Sequence, residues 1–422
     1  MRQNGWQTTM TALLLVVFLY FQTKNLICAS MYPSIIAPTS PGDIRTSTST
    51  SSLSSSSASA STSTSPNNNT LPTQFDGVFA RAFPLWPPHW RLPCFPAEET
   101  WYSSYTLRTP AYQGFLFVKP MKTGGSTAVG VHLRIARNVA RKQQPMTYPN
   151  MSMCQTRHDH SGAAQLGFAF RDRQQSFLWT ILRDPTSRAI SEFFHFEVSR
   201  NKVEPTDANF IHWIRYSGYY DIDRYYLRVL GLVPPMEVYN DPIATANHIL
   251  QNYDFIGITE RMEESMVVLQ LLLNVTTADI LYLNAKNQGR FDDGGFNYTC
   301  VLVQPSYVSP GMQNVFRYSE EWHNMTYEDT LLYQAANRSL DLTIDHTIGR
   351  ERFDVALRKF RHAQRIIYDQ CSSTAIYPCS PGGVFQPELA YEDCLWHDSG
   401  CGTRCIDQLV AQNEEWQQES IM

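Results

Sequence analysis

The stretch FLFVKPMKTGGSTAVGVHLRI, residues 115–135, decides how this chain is read. Residues 115–118 are an apolar run of strand character that breaks at Pro120. Lys122-Thr123-Gly124-Gly125-Ser126-Thr127 follows. A helical pattern comes next, with Val129, Leu133 and Ala136 near one face and Arg134, Arg137 and Arg141 elsewhere. Strand, glycine-bearing loop and helix together offer backbone N–H groups and a positive helix end to a phosphate. Gly124 and Gly125 let the backbone approach closely, Ser126 and Thr127 add hydroxyl donors, and Lys122 adds a compact charge. In the nucleoside-triphosphatase loop, G-x-x-x-x-G-K-[ST], the lysine comes after the glycines, whereas here it precedes them. The plainer reading of this segment alone is an ordinary strand-to-helix turn.

A second segment, FLWTILRDPTSRAISEFFHFEV at residues 177–198, repeats the pattern of strand, turn and helix. Asp184 suits an N-cap, and Pro185 suits the first helical position, where a missing N–H costs nothing. Arg183 is thereby predicted at the carboxyl end of a strand, where open α/β sheets hold their ligands. Ser187 and Ser191 share a helix face, and Ile190, Phe193 and Phe194 supply an apolar one. An arginine fork and a serine hydroxyl suit one phosphate. The plainer alternative makes Arg188–Glu192 a surface pair and Arg183 a structural cap.

K-T-G-G-S-T and L-R-D-P-x-x-R-x-x-S together resemble the two cofactor motifs of sulfotransferases that use 3′-phosphoadenosine 5′-phosphosulfate (PAPS). The likeness is strongest to the Golgi carbohydrate group containing heparan sulfate 2-O-sulfotransferase and galactose 3-O-sulfotransferase. It implies that Lys122, Thr123, Gly124, Gly125, Ser126 and Thr127 hold the 5′-phosphosulfate, and that Arg183 and Ser191 hold the 3′-phosphate. Arg157-His158-Asp159-His160 resembles the His-x-His element of uronosyl 2-O-sulfotransferases. Residues 253–260, YDFIGITE, resemble the family's later strand ending in G-[IV]-T-E, and Lys286 falls where these enzymes often close a loop over the cofactor. The likeness runs from about residue 112 to 290.

Sulfuryl transfer is an in-line displacement that needs positioning, proton removal and charge stabilisation, with no obligatory metal. The resemblance makes His160 the general base, His158 an orienting partner with which it can exchange roles, and Lys122 the stabiliser of charge on the leaving phosphate oxygen. Polar loop residues are the plain alternative for the two histidines. A zinc site is disfavoured, because no further histidine or cysteine follows at zinc-like spacing. His132, His195 and His248 fall on predicted helices and read as structural.

Charge is local. Residues 115–200 hold 12 Lys or Arg against 5 Asp or Glu, although the whole chain has a formal net charge of -5. A basic site in an acidic protein points to a specific anionic cofactor and away from nucleic acid. Residues 11–21, TALLLVVFLYF, form an apolar run read as a signal-anchor, or as a signal peptide cleaved near Cys28. Residues 38–70 are mostly Ser, Thr, Pro, Ala and Asn, a composition too poor in apolar surface to order itself and suited to an O-glycosylated stem. Sequons at Asn68, Asn150, Asn274, Asn297, Asn324 and Asn337 fit a luminal location. Beyond Cys28 there are eight cysteines, five of them after residue 370, and an even number suggests disulfides whose pairing the sequence leaves open. A bond at Cys154 would brace the segment carrying His160.

Trp86, Trp90 and Trp101, with their prolines, read as an irregular apron on the core. Residues 208–230 read as aromatic and helix-like, their tyrosines suited to packing or to stacking on a sugar, and residues 350–370 as an amphipathic helix with a basic polar face. The expected architecture is α/β: a P-loop-like parallel sheet flanked by helices, in a single catalytic domain. That domain spans residues 76–422, behind an anchor or signal at 1–30 and a stem at 31–75. The expected activity is transfer of a sulfuryl group from PAPS to a glycan hydroxyl in the Golgi lumen, by a protein held through its anchor or secreted if cleaved. A P-loop kinase and a catalytically inactive nucleotide- or glycan-binding protein of the same fold are the alternatives. A peptide acceptor is a third option, because protein-tyrosine sulfotransferases share the cofactor logic.

Overall fold

The computed structural model describes residues 73–96, 112–142, 151–284, 291–292, 299–374, 378–392 and 400–418. The expected anchor, the expected stem up to residue 72, Trp101, Lys286, Cys28, Cys394 and the sequons at Asn68, Asn150 and Asn297 lie outside them, while the last stem residues, Gln74–Phe75, form a short strand paired with Val78–Phe79. No helix among the described residues is long and apolar enough to cross a membrane.

The centre is a four-stranded parallel sheet. Its strands are labelled in chain order: β1 (Gly114–Val118), β2 (Thr156–Asp159), β3 (Ser176–Leu182) and β4 (Phe255–Ile258). The spatial order is β2-β1-β3-β4. Every residue of β1, β3 and β4 is buried, so helices cover both faces, as unbroken apolar strands require. Six helices frame the sheet and its carboxyl edge: α1 (Gly125–Lys142), α2 (Pro185–Glu192), α3 (Tyr225–Leu230), α4 (Met262–Leu273), α5 (Glu320–Leu342) and α6 (Arg350–Cys371).

Both predicted strand–turn–helix units are present. Asp184 caps α2 by accepting from the Ser187 amide at 2.8 Å, with Pro185 in the first turn. The apron forms at Trp86 and Trp90: the Trp86 amide donates to Leu272 O at 2.9 Å, and its ring stands edge-on to Phe177. α6 buries Phe353, Ala356, Leu357, Phe360, Ala363 and Ile367 on one face, as its pattern predicted.

Other expectations are corrected. α1 is covered on more sides than an amphipathic pattern implies. Arg134 is buried there, donating from Nε to Ala278 O at 2.7 Å and pairing with Asp407 at 2.6 Å. Gly130 lies so close to Gly400 that a Cβ would come within 2.8 Å of the Gly400 Cα. The stretch 208–230 is helical, as expected, but as three short helices, Asp207–Arg215, Tyr219–Ile222 and α3. Arg224, in the left-handed region at φ 45°, breaks the chain before α3. Below α2 a second aromatic core gathers Phe193, Phe194, Phe210, Trp213 and Trp322, apart from the main one.

Three disulfides, Cys94–Cys154, Cys300–Cys379 and Cys371–Cys405, mark an extracellular or luminal domain, and Cys401 is disulfide-bonded as well. Cys94–Cys154 joins strand Cys94–Pro96 to its antiparallel partner Met151–Cys154, just ahead of β2.

Candidate functional site

The carboxyl ends of the four parallel strands carry the predicted residues. β1 runs into the lysine–glycine loop. Lys122 sits in the left-handed region at φ 65°, a strained conformation for a residue with a Cβ, and Gly124 follows at φ 77°. Thr123 is fully buried; its Oγ1 donates to Pro120 O at 3.0 Å, and its carbonyl accepts from Thr259 Oγ1 at 2.7 Å. Gly124 O accepts from the Ala128 amide at 3.1 Å, which opens α1. The first helical residues are therefore Gly125, Ser126 and Thr127. A Cβ on Gly125 would come within 2.8 Å of Lys119 Cγ, so the loop is drawn tightly against the strand end. This is a backbone cradle with a cationic side chain beside it, which suits a phosphate.

Arg183 directly follows β3; its Nη1 donates to Lys122 O at 3.3 Å and its Nε lies 4.0 Å from Glu260 Oε1. The side chain is about one-third exposed at 30%. The two predicted phosphate elements therefore meet. Ser191 is half-buried on α2. Glu260 also accepts from the Asp184 amide at 3.0 Å, so the G-I-T-E end of β4 closes the third side.

The histidines stand one strand further out, at β2. His158 is a strand residue, paired with Phe117, whereas His160 lies in the bend just after the strand; the Lys119 amide donates to Asp159 O at 2.9 Å. His160, exposed, follows the last strand residue at the same end of the sheet as Lys122. Burial pushes the Asp159 carboxyl up. Two hydrogen bonds from Ser161 and the charges of Arg157 and His160 outweigh it and hold the carboxyl below its ordinary value. Asp159 is thus a carboxylate next to His160, suited to steadying a positive imidazole.

His158 turns inward toward His132, with ring centroids 6.0 Å apart. His132 is fully buried and stacked on Phe115 at 4.3 Å, and its Nδ1 accepts from Trp179 Nε1 at 3.1 Å. That bond assigns the neutral tautomer with its proton on Nε2. Burial, helped by His158, lowers its pKa well below the ordinary value. His132 is therefore structural, as its helical position predicted.

No family model, curated protein or solved structure matches the chain.

Several residues around this cradle escaped sequence reasoning. Lys122 reaches toward the π-helical continuation of α2, Phe193–Arg200, with Nζ 6.0 Å from the Phe196 ring centre. There His195 Nε2 lies 3.4 Å from buried Asp292 Oδ2, and Arg200 Nη2 pairs with Oδ1 at 2.6 Å. Burial and the charge of Lys122 lower the His195 pKa against the pull of Asp292. Arg188 and Glu192 form an ion pair that is buried, each side chain only 3% exposed, and not on the surface. The Arg188 guanidinium also donates to Asp221 O and lies 4.0 Å over the Tyr225 ring. Burial pushes the Glu192 carboxyl up, against the charge of Arg188. The spacing of Arg188 and Glu192, i and i+4, was visible; their burial beneath Tyr225 was not.

Proposed function

We propose that this chain is a PAPS-dependent sulfotransferase that transfers a sulfuryl group to a glycan hydroxyl, through a P-loop-like catalytic domain in the Golgi lumen. One observation carries this reading. Two phosphate-type loops end adjacent parallel strands and touch, the Arg183 guanidinium lying 3.3 Å from the Lys122 carbonyl. A nucleotide with separated 5′ and 3′ anionic groups would use both, and the glycine loop, drawn tightly against the strand end at Gly125, offers main-chain N–H groups to its 5′ end.

When bound, PAPS supplies the activated sulfuryl group. The amides of Gly125, Ser126 and Thr127, with Lys122, would hold its 5′ end, and Arg183 with Ser191 its 3′-phosphate. His160 takes the proton from the acceptor hydroxyl while Asp159 steadies the imidazolium, and His158 orients the pair. The disulfides support a luminal setting, and the stem and anchor expected at the N-terminus agree with the Golgi.

The test is incubation of the purified chain with radiolabelled PAPS and a panel of glycans and tyrosine peptides. His160→Ala and Arg183→Ala run alongside. Transfer to one acceptor class, lost in both variants, is the expected result. Nucleotide binding that needs Arg183 but gives no transfer to any acceptor would favour the inactive binding protein. Failure of well-folded protein to bind PAPS overturns the assignment.

A further inference from the structure

α3 begins with two tyrosines, both buried, with only 4% of Tyr225 and none of Tyr226 exposed. Packing alone would be served by phenylalanine. Each hydroxyl instead meets the main chain of a different phosphate loop. Tyr225 Oη accepts from the Met121 amide at 2.6 Å, one residue before Lys122. Tyr226 Oη accepts from the Arg183 amide at 3.1 Å and donates to Arg183 O at 2.6 Å. The last rung between β3 and β4 pairs Leu182 with Ile258, so this hydroxyl takes the place of the next one. It supplies both a donor and an acceptor where the ladder stops.

The helix that carries the pair is itself anchored from outside. Asp329 of α5 accepts from the Tyr226 amide at 2.8 Å and the Leu227 amide at 3.2 Å, serving as a remote cap. The Arg224 amide donates to Met325 O at 3.0 Å, also on α5. Arg188 covers the Tyr225 ring at 4.0 Å. A rigid support thus reaches both loops through neighbouring residues whose rings lie 5.7 Å apart.

We propose that Tyr225 and Tyr226 are positioning residues that set the separation of the Lys122 and Arg183 loops, so that the 5′ and 3′ anionic groups of one nucleotide are gripped together. The inference rests on the nucleotide reading of the site and adds to it the source of selectivity for a doubly phosphorylated ligand. The hydroxyls touch no ligand themselves; they act through the backbone of the two loops.

The test uses Tyr225→Phe and Tyr226→Phe in the full chain, which keep the rings and remove one hydroxyl each. Calorimetry compares adenosine 3′,5′-bisphosphate with adenosine 5′-monophosphate and adenosine 3′-monophosphate, and hydrogen exchange follows the Met121 and Arg183 amides without ligand. Each variant is expected to bind the bisphosphate about tenfold more weakly, the worth of one hydrogen bond, and either monophosphate within about threefold of wild type. Exchange should quicken at Met121 in the first variant and at Arg183 in the second. Equal weakening for all three nucleotides, or unchanged bisphosphate binding, overturns the inference while leaving the nucleotide reading intact. Wild type that binds none of the three overturns both. Should Tyr226→Phe fail to fold, Tyr225→Phe alone carries the comparison.

Discussion

The buried Arg188–Glu192 pair invites a test that needs no substrate. Both side chains are 3% exposed and lie one helical turn apart on α2, so solvent screens them little. Removing one partner of a buried pair typically costs about 3–5 kcal/mol, because the other is left charged in a poor medium. In Glu192→Gln, Arg188 keeps the Asp221 carbonyl and the face of Tyr225 at 4.0 Å, and the new amide still accepts a hydrogen bond. Those remaining partners bring the expected loss down to about 2–3 kcal/mol. Arg188→Met strands Glu192 with no such relief and is expected to lose about 3–5 kcal/mol. For a domain of about 350 residues, unfolding entropy near 0.7 kcal/mol per degree turns a 3 kcal/mol loss into about 4 °C in Tm. The double variant Arg188→Met/Glu192→Gln removes both charges and should cost less than the sum of its singles, by a coupling of about 2 kcal/mol or more. Equilibrium urea unfolding of the four proteins measures the cycle. Singles within about 0.5 kcal/mol of wild type, or a double equal to the sum of its singles, would refute the argument.

Other consequences can be checked separately. Arg183→Ala should weaken adenosine 3′,5′-bisphosphate about 10–150-fold, the worth of a charge-assisted contact, while changing stability by less than about 1 kcal/mol, because its own protein contacts are long and partly exposed. His160→Ala should lower the rate of sulfuryl transfer by about 10²–10⁴-fold with nucleotide affinity unchanged, measured by single-turnover kinetics and calorimetry. Burial pushes the Asp329 carboxyl from 3.8 to about 7, against the Tyr226 and Leu227 amides and the charges of Arg188 and Arg228. A raised folded-state value means this group's contribution is fully present below about pH 4 and is lost as pH rises through about 7. Asp329→Asn should therefore flatten the fall in stability across that window, read from urea midpoints. Replacing both Cys94 and Cys154 by alanine opens a loop spanning 60 residues, for which chain-entropy reasoning gives a loss of about 4 kcal/mol, seen as a lower urea midpoint.

The parts legible in the sequence are those whose signal is contiguous. Residues 115–118 and 177–182 announce buried strands by composition, Asp184-Pro185 announces a helix start, and the glycine loop announces a backbone cradle. The histidines were found as a pair, yet their strand was not, because Thr156–Asp159 carries a polar sequence and owes its conformation to pairing with β1. Tyr225 and Tyr226 were seen only as packing or sugar-stacking candidates, since nothing local reveals that their hydroxyls reach Met121 and Arg183. Asp329 was invisible for the same reason: an acidic residue within a long helix reads as solvated until α3 is set against it. Arg134 and Arg188 read as outward charges because periodicity reports one apolar face and cannot report a second covering layer.

The contacts that close the cradle have a bearing on how the chain must be born. Arg183 reaches Lys122 across 61 residues, Tyr225 reaches Met121 across 104, Tyr226 reaches Asp329 across 103, and Thr259 reaches Thr123 across 136. Each contact closes a long loop before it returns any stabilisation, the topology that slows folding and prolongs exposure of apolar strands. The N-terminal loop emerges early in synthesis but has no finished shape until α5, some 200 residues later, has been made. Assembly of the cradle is therefore a late event in the life of the nascent chain, and truncation between residues 260 and 328 would leave all four strand segments in the chain but none of the Asp329 contacts that anchor α3.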